Sequence, residues 1–111
     1  MTAEEISFQL ISFAGESLSL MLEAFESSNE GDQEKQARLI EESEHLMNKA
    51  HNVQTTLLTN EAQGKKNEID VLLIHAQDTL MNTILASTLI KKMITMNERI
   101  VKLEEKVIDG K

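Results

Sequence analysis

The fold of this chain is decided by the stretch VLLIHAQDTLMN, residues 71–82, which predicts the early part of a long helix with two apolar faces. At about 100° of rotation per residue, one face is centred on Asp78. Its apolar members follow a three-four spacing, and they are Val71, Ile74, Met81 and Leu85. The opposite face consists of Ile69, Leu73, Ala76, Leu80 and Ser87. A small bundle buries one face, so the face around Asp78 needs a partner of its own.

His75 lies at the edge of the face centred on Asp78, about 60° from its middle. Thr79 and Asn82 are its neighbours on the helix surface. If further copies of the chain cover this face, the carboxylate lies on the axis of the assembly and the imidazole lies at a boundary between subunits. The stretch therefore predicts an oligomer with a buried acid and a histidine that stays accessible along the join.

Composition limits the classes of function. The chain has 111 residues, no Pro, 4 Gly and many strong helix formers, which favours a single all-α domain. A net charge of −8 and the absence of Trp and Tyr oppose nucleic-acid binding, and the same charge disfavours an anionic membrane surface. No apolar run approaches the roughly 18 residues of a membrane span, so direct insertion into a membrane is not expected.

The cysteine count and the first residues bear on the compartment. The chain has no Cys, which excludes disulfides, a thiol nucleophile and a thiolate metal site. The start, Met1-Thr-Ala-Glu-Glu, lacks the basic and apolar regions of a signal peptide. The simplest expectation is a cytoplasmic protein.

Apolar periodicity predicts helices at about residues 3–28, 33–58 and 68–107. Gly31 suits the residue that ends the first helix, and Asp32 suits the N-cap of the second. The connections are short, which favours an antiparallel, up-down-up three-helix bundle forming one domain over residues 1–111.

Several kinds of chemistry are open to His75. Metal ligation has weak support because no second histidine lies one turn away, and acid–base catalysis would need a second titrating group and a pocket. A nucleophilic role fits better, since a ring nitrogen can take up a phosphoryl group and pass it on. Gln77, Thr79 and Asn82 can supply hydrogen-bond donors. A lone histidine on such a helix is nevertheless more often structural.

Asp78 also has two interpretations. It can be a polar residue that sets the register of packed helices. Alternatively, carboxylates gathered around a symmetry axis can capture a hard cation such as Mg²⁺, with waters completing its shell.

Four motifs occur along nearly the whole chain. The most specific is Leu72-Leu-Ile-His75-Ala-Gln-Asp78, followed by Leu80-Met81. Weaker ones are Ile11, Ala14, Gly15 and Ser17; Ala50-His51 with Gln54, Thr55 and Leu58; and Glu61-Ala62 with Gly64. In this order they resemble the IIA component of the lactose/cellobiose class of the bacterial sugar phosphotransferase system.

The resemblance implies a phosphotransferase component that folds as a three-helix bundle and forms a homotrimer with the third helices lining the axis. It implies that His75 receives a phosphoryl group from phospho-HPr and passes it to a cysteine of a IIB component, which phosphorylates a lactose- or cellobiose-type sugar during uptake. It also implies that Asp78 surrounds a metal, Mg²⁺ or a similar divalent cation, and that Gln77 supports the site.

One position departs from the family pattern, in which a second histidine usually stands where this chain has Thr79. That residue lies one turn after His75, so the substitution removes a titrating group from beside the nucleophile. Two other functions stay open: a helical oligomerisation module without chemistry, and a histidine-phosphotransfer relay domain, which normally uses a four-helix bundle.

Overall fold

A computed structural model describes residues 1–110 of the chain. It contains α1 (Ala3–Glu30), α2 (Gln33–Ala62) and α3 (Val71–Gly110), and these residues form no strand. The all-α prediction is therefore confirmed. No helix in the described part of the chain is both long enough and apolar enough to cross a membrane.

The first connection follows from its capping residues. The Thr2 hydroxyl accepts a hydrogen bond from the Glu5 N–H, and the Glu5 carboxylate accepts one from the Thr2 N–H, which fixes the start of α1. Gly31 ends α1 with a φ of 76°, a left-handed conformation that suits glycine. Asp32 then caps α2, because its carboxylate accepts a hydrogen bond from the Lys35 N–H. Both expectations for this turn are confirmed.

The second connection differs from the expected bounds. Helix α2 continues to Ala62 rather than to residue 58, and Gly64 lies just beyond it with a φ of 84°. Helix α3 begins at Val71 rather than at residue 68. Its start is set by Asp70, whose side-chain Oδ1 accepts a hydrogen bond of 2.8 Å from the Leu73 N–H. Glu61 and Ala62 are good helix formers at the end of α2, and the Asp70 cap sets the later start of α3.

Two apolar clusters form the core. The first joins the beginning of α1, the end of α2 and the beginning of α3, through Ile6, Leu10, Ala14, Ala50, Val53, Leu57, Leu73, Ala76 and Leu80. The second joins the end of α1, the beginning of α2 and the later part of α3, through Met21, Ala24, Leu39, Ile90 and Ile94. These pairings show which ends of the helices meet.

A buried polar contact joins α1 and α2. The Ser17 hydroxyl donates to the Ser43 carbonyl at 2.8 Å, and the Ser43 hydroxyl donates to the Ser17 carbonyl at 2.7 Å. Both side chains are only 1% exposed. Reciprocal bonds of this kind require small side chains and bring the two helix backbones close together.

Replacing Leu10 by alanine is expected to lower the free energy of unfolding by about 2–5 kcal/mol, because it opens a cavity in the first cluster. Leu10 is fully buried (0% exposed), whereas Leu22 on the same helix is 50% exposed. Urea denaturation measures the change, with Leu22→Ala as the matched control. Equal effects of the two substitutions would contradict the described core.

Helix α3 has the two faces that the sequence predicts, with one correction. Leu73, Ala76 and Leu80 are at most 7% exposed and pack in the bundle. Ile69 was expected on the same inner face, but it precedes the helix and is 74% exposed. The sequence predicted that α3 begins at about residue 68, which would include Ile69, but the helix begins at Val71.

Candidate functional site

An exposed apolar stripe runs along α3. Its apolar side chains are between 44% and 82% exposed, and on a helical wheel all lie within about 60° of Asp78. The exposed stripe is defined by these residues of α3: Val71, Ile74, Asp78, Met81, Leu85, Leu89, Met93, Met96, Ile100, Leu103 and Val107. A strict heptad would drift by about 20° each seven residues. This stripe keeps one direction, so it fits straight helices packed side by side.

The stripe continues past the rest of the bundle. Val101 lies beside Gly31, at the turn between α1 and α2. Helix α3 continues past Val101 to Gly110, and the residues from Lys102 to Asp109 are exposed. Apolar surface of this extent is typical of an interaction site and not of a free helix face.

His75 lies at one border of the exposed stripe. Its side chain is exposed on a regular, capped helix, so a ring nitrogen is accessible to a partner. Thr79 was predicted to offer a donor beside the imidazole, but its hydroxyl donates to the His75 carbonyl at 2.8 Å. Helical residues with a hydroxyl commonly bond the carbonyl one turn back, and this bond uses the proton that the prediction assigned to a ligand.

Gln77 lies on the other side of the exposed stripe from His75. Residues two apart on a helix do not face each other, and here the two directions differ by about 160°. The half-buried Gln77 side chain instead meets Gln54 on α2: each amide donates to the other's carbonyl oxygen, both at 2.7 Å. Within one chain Gln77 therefore does not support His75, and a supporting role needs a second copy.

Asp78 lies at the centre of the exposed stripe with an exposed side chain. No group of three or more His, Cys, Asp or Glu side chains within residues 1–110 is placed to hold a metal. Carboxylate oxygens suit a hard divalent cation, but a single chain contributes only this one carboxylate to the stripe. A metal at Asp78 would need the same residue from other copies.

The remaining histidines are on α2. His45 and His51 are both exposed, and the carbonyl of His51 accepts a hydrogen bond from the Thr55 hydroxyl at 2.9 Å. Neither lies on α3 with the exposed stripe. Exposure alone does not single out His75, whereas its position beside a large unpartnered apolar surface does.

Comparison with known proteins gives one consistent family. The model of the family "PTS system, Lactose/Cellobiose specific IIA subunit" matches residues 5–98. The lactose-specific EIIA component of Lacticaseibacillus casei is 39% identical over 108 residues, which cover 95% of this chain and 96% of the relative. The lichenan-specific phosphotransferase enzyme IIA component of Bacillus subtilis is 35% identical over 99 residues, which cover 89% of this chain and 90% of the relative.

Solved structures agree. The cellobiose-specific enzyme IIA of Bacillus anthracis has a TM-score of 0.88 at 38% identity, covering 92% of this chain and 94% of that one. The IIA(Chitobiose) chain of Escherichia coli, solved in complex with HPr, has a TM-score of 0.77 at 32% identity. The match covers 90% of this chain and 97% of that one.

Proposed function

This chain belongs to the lactose/cellobiose-specific IIA family of the phosphotransferase system, and we propose that it is a phosphocarrier which accepts a phosphoryl group on His75 from phospho-HPr. The observation that carries the proposal is the exposed imidazole at the border of the exposed stripe on a continuous helix. The E. coli relative solved with HPr supports the choice of donor.

The transfer needs little from the protein beyond positioning. A lone pair on a His75 ring nitrogen attacks the phosphorus of the HPr phosphohistidine, a new N–P bond forms, and the donor's N–P bond breaks and returns its electron pair to the donor ring. In the second step His75 is the donor. A cysteine sulfur of a IIB component attacks the phosphorus, an S–P bond forms, and the N–P bond breaks and returns its electron pair to the His75 ring. Such transfers depend on alignment of the attacking and leaving atoms and on groups that hold the phosphoryl oxygens.

The proposed assembly is a homotrimer of antiparallel three-helix bundles with the α3 helices around the axis. The exposed stripe supports it, because one chain leaves apolar surface along the whole of α3. The pairing of helix ends in the two core clusters supports the antiparallel bundle. We also propose that symmetry-related Asp78 carboxylates bind Mg²⁺ or a similar cation, which would offset their mutual repulsion. The proposed role places the chain in the cytoplasm.

Labelling tests the function directly. The protein is incubated with labelled phosphoenolpyruvate, enzyme I and HPr, and the label is located by mass spectrometry. We expect one acid-labile phosphoryl group per chain, on His75, and its loss when a IIB component is added. No label under these conditions would favour an oligomerisation module, and label only from a sensor kinase would favour a signalling relay.

Thr79→His is expected to change the pH dependence of transfer while leaving transfer intact. The added imidazole would lie one turn from His75 and carry positive charge below about pH 6.5. A cation there attracts the incoming phosphoryl group. The ratio of the phosphorylation rate at pH 6 to the rate at pH 8 should therefore be several-fold higher in Thr79→His than in the original protein. Rapid-quench rates measure it, with Thr79→Val as the control that also removes the hydroxyl. Identical pH profiles for the original protein and Thr79→His would show that the departure is silent.

A further inference from the structure

The pair formed by Gln54 and Gln77 lies near the exposed stripe, and the transfer chemistry above does not use it. Both amides are half-buried, and each engages its carbonyl oxygen and one N–H in the pair. A primary amide has two N–H groups, so the pair leaves one N–H of Gln77 free. Two bonds to one partner also fix the orientation of the carboxamide, which a single bond would not.

The geometry of the stripe determines what the fixed amide can reach. In a cyclic ring of copies with parallel α3 helices, each interface joins two different surfaces of the chain. One border of the stripe therefore meets the opposite border of the stripe on the next copy. His75 lies on one border, and Gln77 lies beyond the other. Gln77 follows His75 by two residues, which is about 3 Å of helix rise, so the two side chains are nearly level across the junction.

We propose that Gln54 is a positioning residue for phosphoryl transfer: it holds the Gln77 carboxamide so that its free N–H faces the His75 of the neighbouring copy and donates to a phosphoryl oxygen there. The inference rests on the proposed phosphocarrier function and on the trimer. It identifies a site built from two copies, with Gln54 acting through Gln77.

The test compares Gln54→Met with Gln77→Met, since methionine keeps the length of the side chain and loses the amide. With saturating phospho-HPr, each substitution should lower the rate constant for phosphorylation of His75 about tenfold, as expected for one lost hydrogen bond to a charged group. The KM for phospho-HPr should change less than twofold. The double variant should be no slower than either single one, because both act through one interaction.

Asn52→Ala is the matched control, as it removes an exposed amide from the same helix. Thermal melting identifies any variant that loses stability, and Gln54→Ala then provides a second replacement. Multiplied losses in the double variant, or an unchanged rate for Gln54→Met, would overturn the inference while labelling of the original protein still upheld the function. Absence of label on the original protein would instead reject the function itself.

A mixed assembly tests which copy Gln77 serves. The Gln77→Met chain is coexpressed with an excess of His75→Ala chain, and the label on the Gln77→Met chain is followed. Because the neighbour supplies an intact Gln54–Gln77 pair, most of these sites should recover the original rate. Rates that stay tenfold low would overturn the proposed contact between copies.

Discussion

His75→Ala is expected to reduce phosphoryl acceptance from phospho-HPr below detection, a loss of at least about a thousandfold, since the substitution removes the attacking nitrogen. No other imidazole lies on α3 beside the exposed stripe. The Thr79 hydroxyl donates its proton to the His75 carbonyl, and a neutral hydroxyl without an adjacent general base is a weak nucleophile.

The other histidines provide matched controls. His45→Ala and His51→Ala remove exposed imidazoles of the same kind from α2, and we expect each to accept phosphate at the original rate. Circular dichroism and sedimentation should show that all three variants keep their helices and assembly, because each side chain is exposed. Residual label in His75→Ala, located on His45 or His51, would move the proposed site to α2.

The sequence was sufficient where one periodicity decided the outcome. On α3 the pattern placed Leu73, Ala76 and Leu80 inside and Ile74, Met81 and Leu85 outside, and the structure agrees. A helical wheel succeeds here because burial depends on direction around the helix and on little else.

Periodicity within one helix does not predict which side chains of different helices contact each other. Ser43 is buried against Ser17; periodicity places it on the inner face of α2 between Leu39 and Ala50 but does not show which residue of α1 it meets. The bond between Gln54 and Gln77 depends on the axial register of α2 against α3, which no local pattern specifies. The Asp70 cap had a recognisable signal, an aspartate before an apolar run, and reading it would have placed the start of α3 correctly.

Asp78→Leu is expected to strengthen the trimer in buffer containing EDTA. Without a cation, packing the stripes of three copies together brings their carboxylates together in an apolar setting, where desolvation and mutual repulsion oppose association. Leucine has the same branched shape as aspartate, with two methyl groups in place of the carboxylate oxygens, and it matches Ile74 and Met81, which flank position 78 on the stripe. Replacing buried charges by apolar residues commonly stabilises an assembly by about 1–4 kcal/mol, so dissociation should shift to at least about tenfold lower protein concentration.

Sedimentation equilibrium measures this shift, and Glu105→Leu is the control, since it removes one negative charge from an exposed site on the opposite side of α3. Adding Mg²⁺ in place of EDTA should strengthen the original trimer and leave Asp78→Leu unchanged, because only the carboxylates bind the ion. Weaker association of Asp78→Leu in EDTA would mean that the stripe does not face the axis. Retained phosphorylation of His75 in this variant would separate the two roles: the carboxylate governs assembly, and the imidazole at the border carries the phosphoryl group.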